Sequence, residues 1–160
     1  MSERRFKVHV PKLPVIGWPG VLGDIARLVG DDATFKFAWE FGDSRLHIPE
    51  VRTLRYRPDH RLVQVLGWDV AVQIANALGG NDYSIPTGRH AINFHRARTF
   101  RAHGWSYRDI ARVVRMREDT VKNHCADVEL SPDGPHPVTE RCLSCGTMHT
   151  YEPPPAGERA

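Results

Sequence analysis

Residues 25–49 (IARLVGDDATFKFAWEFGDSRLHIP) lie without a gap over residues 62–86 (LVQVLGWDVAVQIANALGGNDYSIP), at an offset of 37. Identities fall at Gly30/Gly67, Asp32/Asp69, Ala38/Ala75, Gly42/Gly79, Ile48/Ile85 and Pro49/Pro86. These shared residues are structural punctuation. A Gly ends one helix, an Asp opens the next, a second Gly ends that one, and a short extended run stops at Ile-Pro. Each copy therefore reads as helix, short break, helix, strand. In the second helices Ala33, Phe37 and Phe41 correspond to Val70, Ile74 and Leu78, an i, i+4, i+8 apolar stripe. Neither helix pair is large enough to bury its stripe alone, so the copies pack on one another or on copies from another chain. In the strands, alternation sets Leu46 and Ile48 against Arg45 and His47, and Tyr83 and Ile85 against Asp82 and Ser84. Only the first strand offers a cationic outer face. Pairing of the two strands in a small sheet is the alternative use of both.

The stretch Ser106–His124 has the spacing of a helix, a tight turn and a second helix of the DNA-binding kind. Ile110, Val113, Val114, Met116 and Val121 can close one small core between two crossed helices, and Ala111 allows their close approach. Ser106 caps the first helix, with Asp109 three residues on, and Glu118 and Asp119 suit the positive end of the second. The turn falls near Arg115–Arg117, with Arg115 where such turns often carry Gly. Val121, Cys125 and Val128 face inward, leaving Arg117, Thr120, Lys122, Asn123 and His124 outward. In a major groove Asn123 suits adenine, and Lys122 suits guanine or phosphate. A preceding helix, Arg89–His103, carries Ala91, Phe94, Ala97 and Phe100 at three-residue intervals.

Charge follows the same division. Gly88–His124 holds nine Lys and Arg against Asp109, Glu118 and Asp119, a net +6 in a chain whose total is +3. Concentrated positive charge on a candidate reader is the footprint of a polyanion partner. The expected phosphate contacts are Arg89, Arg96, Arg98, Arg101, Arg108, Arg112 and Arg117, and the expected base readers Thr120, Lys122 and Asn123. If a strand also approaches DNA, Arg45 and His47 are the suitable residues, since Asp82 repels phosphate.

GDSRLHIP (Gly42–Pro49) and GGNDYSIP (Gly79–Pro86), the latter followed through Thr87 and Gly88 by the helix-turn-helix, resemble the phage Mor/C family of middle and late transcription activators. The resemblance covers about residues 18–128 and rests on the order of the parts. It implies a helical dimerisation region, a short strand ending in Tyr-Ile-Pro and a C-terminal helix-turn-helix, which bind a promoter and recruit host RNA polymerase. Where the family has that Tyr, this chain has His47 and Ser84. It also carries two helix-strand units where a family member contributes one. Two assemblies follow: a homodimer, or a monomer that is a pseudo-dimer through its repeat.

From Ser131 the composition changes, with six prolines to Ala160 and little apolar periodicity, a segment that cannot build a core unaided. Within it Cys142-x-x-Cys145-Gly is a tight turn suited to zinc. Cys142, Cys145 and His149 give three ligands and His136 or His124 a fourth; Cys125 competes for a core position. One structural zinc and reduced free thiols are the two readings. A redox dithiol comes third, because no βαβ pattern surrounds the motif.

The expected fold is mainly α with two short β-strands, a helical dimerisation-type region followed by a C-terminal helix-turn-helix. The expected divisions are an N-terminal arm (1–15), two helix-helix-strand units (16–50 and 51–88), the DNA-binding domain (89–130) and a Pro-rich tail (131–160). In the arm Phe6, Val8 and Val10 alternate with Lys7 and His9, as in an edge strand or a loose basic arm. There is no run of eighteen apolar residues and no signal-peptide pattern, so a cytoplasmic protein is expected, with no membrane partner. Its nine His are scattered, and no phosphate-binding Gly loop, His-Glu-x-x-His helix or nucleophile turn occurs, so no enzymatic activity is expected. The functional expectation is a sequence-specific regulator of a phage or prophage promoter. The alternative is a small-terminase-like DNA-packaging or an architectural DNA-binding protein.

Overall fold

A computed structural model describes residues 13–142 and 147–155. Among them are eight helices and four strands in two small antiparallel sheets. The chain forms two compact units: a body that includes residues 15–93, 141–142 and 147, and a second unit that includes residues 94–140 and 148–155. The Phe6–Val10 run lies outside the described residues.

The body contains α1 (Val21–Val29), α2 (Asp31–Phe41), β1 (Ser44–Ile48), α3 (Val51–Tyr56), α4 (Arg61–Leu66), α5 (Trp68–Leu78) and β2 (Asn81–Ile85). The bounds of α2 and β1, advanced by 37, are those of α5 and β2. Gly30 (φ 86°, ψ 171°) and Gly67 (φ 83°, ψ 162°) join the helix pairs in a conformation open only to glycine. α2 and α5 start directly after these glycines, so Asp32 and Asp69 occupy the second helical position instead of opening the helix.

β1 and β2 pair antiparallel, with Ser44 opposite Ile85, Leu46 opposite Tyr83 and Ile48 opposite Asn81. Advancing any residue of β1 by 37 gives the partner of its mirror position, and Leu46 faces its own counterpart, Tyr83. The register is therefore two-fold symmetric about that pair. Loop contacts repeat the symmetry: Asp43 N–H donates to Ile85 O and Gly80 N–H to Ile48 O, both at 2.8 Å. Pro49 and Pro86 then end the strands, having no N–H to extend the ladder.

Five of the six expected stripe residues join the core, and Ala33 is only partly buried. Phe37, Phe41 and Ile74 are buried with Leu22, Ile25, Ile48, Leu54, Leu62 and Ile85 in one core, with Val70 and Leu78 packed against it. Burying each such side chain fully contributes roughly 1.5–3 kcal/mol, which neither repeat could gather alone. The body thus supplies within one chain the packing partner that each repeat needs.

The second unit holds α6 (Arg89–Ala102, whose first five residues belong to the body), α7 (Tyr107–Val114), α8 (Glu118–Cys125) and a hairpin of β3 (Val138–Arg141, whose last residue belongs to the body) and β4 (Met148–Tyr151). This hairpin corrects the expectation of only two strands and of a separate tail. The tail does not build its own core but adds to an existing one. Val138 is buried with Phe100, Trp105 and Ile110, and the Tyr151 ring meets Phe100 edge-on at 5.5 Å. Backbone bonds from Ser131 to Ala102 O and from His136 to His103 O anchor the incoming loop. The boundary expected at 88/89 accordingly falls within α6, and that expected at 130/131 disappears. The short helix α3 and the hairpin carried no clear period, being too short to show one.

Candidate nucleic-acid interface

α7 begins at Ser106, whose Oγ accepts from Asp109 N–H at 3.2 Å and donates to Asp109 Oδ2 at 2.7 Å. It ends at Arg115, in the left-handed conformation (φ 58°, ψ 49°), with Arg115 N–H donating to Ala111 O. Three residues later, at Glu118, α8 starts. Ile110, Val114, Val121 and Cys125 point into the core with Ala97, Phe100 and Trp105. Arg108, Arg112, Arg115, Arg117, Lys122 and Asn123 are left exposed, and Thr120 half-buried. The short turn between the two helices therefore separates an apolar face from a basic one.

Acidic side chains temper that surface without neutralising it. Glu118 pairs with Lys122 at 3.3 Å and Asp119 with Arg117 at 3.1 Å. Both pairs are exposed, so each is worth at most about 1 kcal/mol and can exchange for phosphate. Asp119 also accepts from Thr120 N–H at 3.0 Å.

Three arginines expected to hold phosphates have intramolecular tasks instead. Arg96 grips Glu140 of β3 through Nε at 3.0 and 3.1 Å and Nη2 at 2.7 Å. Burial alone would lower its pKa, but this carboxylate raises it on balance. Arg98 donates to His124 O at 2.7 Å, near the end of α8, and bidentately to Asp127 at 2.7 and 3.1 Å. That hydrogen bond raises the Arg98 pKa and lowers that of Asp127. Arg101 donates to Trp105 O and lies 4.0 Å from the Tyr107 ring centroid. Sequence spacing places these arginines on a helix but cannot show that an adjoining hairpin and loop claim them.

The second helix is held in place from behind. The His124 ring stacks on Phe94 at 3.7 Å and 19°. Burial pushes the Cys125 thiol up, so it serves as core and not as a nucleophile.

The remaining expected contacts lie in the body. Arg89 is exposed at the start of α6. Arg45 and His47 share the outer face of the β1–β2 ribbon, but Asp82 sits 2.6 Å from His47 Nδ1 and 3.9 Å from Arg45 Nη2. That carboxylate offsets the cationic face, because antiparallel pairing brings it opposite His47.

Of the expected zinc ligands, Cys145 lies outside the described residues. Cys142 is half-buried, and its N–H donates to Thr147 O at 2.8 Å across the hairpin end. His149 is exposed on β4. His136 is 3.0 Å from the Ser131 hydroxyl through Nε2, and its carbonyl accepts from Trp105 Nε1–H, so it braces the loop. No group of three or more potential ligands is assembled among the described residues. Among the same residues no helix is long and apolar enough to cross a membrane.

No protein-family model, curated protein or solved structure matches this chain. The functional assignment therefore stands on the residues. Arg115 is the member of the basic surface that sequence reading left out. Its signal was present as a non-glycine residue at the turn.

Proposed function

We propose that the protein is a sequence-specific double-stranded-DNA-binding transcription regulator, a Mor-like activator of a phage or prophage promoter with host RNA polymerase as partner. The observation that carries this reading is α8, which presents Lys122 and Asn123 outward while Val121 and Cys125 anchor its back. Arg112, Arg115 and Arg117 flank it on the same compact unit. In this assignment Asn123 and Lys122 read base edges, with Thr120 beside them, and Arg108, Arg112 and Arg117 position the duplex on phosphates. The activity is binding, with no enzymatic step.

The symmetric β1–β2 register favours a monomeric pseudo-dimer over a homodimer. Each strand already has the partner that a second chain would bring. One chain then carries one reading helix and recognises a single half-site. A structural zinc at Cys142, Cys145 and His149, with His136 or His124 as the fourth ligand, belongs to the same proposal.

Selection from a random duplex library, followed by sequencing, tests this reading on protein purified with and without zinc. One enriched half-site is expected. A two-fold motif would replace the monomer by a homodimer. Salt-sensitive binding without enrichment would favour packaging or architectural binding. Asn123→Ala is expected to weaken the selected site by roughly 1–3 kcal/mol and to relax one position. Unchanged preference would show that this face of α8 does not read bases.

A further inference from the structure

The repeat does not stop at Pro49 and Pro86. At the same offset, Glu50–Tyr56 lies over Thr87–Asn93, so α3 is the counterpart of the beginning of α6. Arg52 meets Arg89, both exposed, and Leu54 meets Ala91, at 0% and 3% exposure. Each entry also packs reciprocally on the other repeat. A Cβ on Gly42 would lie 3.3 Å from Pro86 O and Thr87 Cα, and one on Gly79 would lie 2.7 Å from Pro49 O and 3.1 Å from Glu50 Cα. Beyond that point the copies diverge. α6 runs on to Ala102 and leads into the reader, whereas α3 ends at Tyr56, because Pro58 has no N–H to donate and confines Arg57 to a non-helical backbone (φ −130°, ψ 70°). The first repeat therefore ends in a stump where the second carries a DNA-reading unit.

That stump is where the positive charge of the body gathers. Residues 15–49 have a net charge of −2 and residues 62–88 also −2, whereas residues 50–61 carry Arg52, Arg55, Arg57 and Arg61 against Glu50 and Asp59. Arg61 pairs with Glu40, and Arg52 lies 3.4 Å from Glu50 while remaining exposed. Arg55 and Arg57 are exposed with no acidic partner among the described residues, and Tyr56 between them is 84% exposed. Fold stability does not account for this arrangement, since Leu54 and Val51 seat the helix in the core. Two exposed guanidinium groups, with a phenolic hydroxyl between them in sequence, offer donors suited to phosphate oxygens along a backbone. No groove-entering element is present to read bases.

We propose that Arg52, Arg55, Tyr56 and Arg57 form a second, sequence-independent contact with the DNA backbone, the truncated counterpart of the arm that carries the reader. The inference rests on the DNA-binding reading above. It adds that a protein with one reading helix gains phosphate contacts from the repeat that lacks a reader. Such contacts raise affinity for every duplex equally and add to the salt dependence.

The test is Arg55→Glu/Arg57→Glu in the full chain, titrated with the selected duplex and with a scrambled one at several salt concentrations. Affinity for both duplexes is expected to fall alike, by roughly ten- to a hundredfold at low salt, with the salt slope reduced by about two and the sequence preference retained. Arg55→Lys/Arg57→Lys should restore most of the loss. An unchanged thermal midpoint in both variants would show that the body is intact. If the charge-reversed variant binds with wild-type affinity and slope while Lys122→Ala lowers the slope, the pad is overturned and the reader stands. If the wild-type chain binds neither duplex, the reader assignment fails and takes the pad with it.

Discussion

In the body nearly every structural decision is made twice, whereas in the reader each is made once. Gly30 and Gly67 share one glycine-only conformation, Gly42 and Gly79 share one close approach, and β1 and β2 share a symmetric ladder. The reader has a single capped α7, a single turn at Arg115 and a single brace from Arg98 to α8. Duplication lets each repeat bury its stripe against the other. The reader has no second copy, and closes its core instead with Trp105, Val138 and Tyr151 from the flanking loop and hairpin.

The paired positions offer the strongest ways to break that symmetry. Phe37 and Ile74 are equivalent and both fully buried, but the aromatic ring fills more volume. Phe37→Ala is expected to cost about 3–5 kcal/mol, more than Ile74→Ala at its counterpart, as measured by urea unfolding. Equal losses would mean that the core collapses equally well around both sites. Next in size is Gly79→Ala: a Cβ at Gly79 or Gly42 would meet Ala75 O or Ala38 O equally at 2.3 Å, but at Gly79 it would also come within 2.7 Å of Pro49 O, against 3.3 Å from Pro86 O at Gly42. Overpacking of this kind costs about 1–3 kcal/mol, so Gly79→Ala should be the more destabilising of the two. The reverse order would show that the two helix entries yield differently from what their spacing implies.

What could be read in the sequence follows the same contrast. The repeat announced itself because glycines and prolines act locally, and the 37-residue offset carries over to α2/α5 and β1/β2 without adjustment. The inward positions of α7 and α8 were legible for a similar reason: a single period and a Ser cap suffice to orient short helices. The fates of Arg96, Arg98 and Arg101 were not legible. Their partners, Glu140, Asp127 and the Trp105 carbonyl with the Tyr107 ring, come from loops and a hairpin whose placement depends on tertiary packing. The end of the repeat was likewise obscured, because after Pro49 the copies keep Arg52/Arg89 but replace Ala91 with Leu54 and Gly88 with Val51.

At the reader's turn the contrast gives an opposite sign. The body puts glycine at the positive-φ exits of α1 and α4, Gly30 and Gly67, whereas α7 leaves through Arg115, in a left-handed conformation that costs a non-glycine residue roughly 1–2 kcal/mol. Glycine would relieve that strain but would add backbone entropy to the unfolded chain. Arg115→Gly is therefore expected to stabilise the reader by a net of about 0.5–1 kcal/mol in urea unfolding. It is also expected to weaken duplex binding and lower its salt slope by about one, as for a lost phosphate contact. A variant both more stable and equally avid would show that the arginine at this turn does not touch DNA.

The smallest effect comes from pH, at the brace behind α8. Arg98 hydrogen-bonds Asp127 and lowers its carboxyl pKa below the ordinary range. For a group depressed in the folded state, the contribution is present above the unfolded pKa and is lost as pH falls through the folded one. Wild type should thus exceed Asp127→Asn in stability by a small constant margin near neutrality, and the margin should shrink below about pH 4. Salt should reduce it too, since Asp127 is exposed. Arg98 keeps its bond to His124 O when Asp127 is protonated, so α8 should remain seated and duplex binding near neutrality should be unaffected by Asp127→Asn. A loss of sequence preference in that variant would instead make the carboxylate necessary for holding the reading helix, which would move the decisive contact of the brace from the carbonyl to the ion pair.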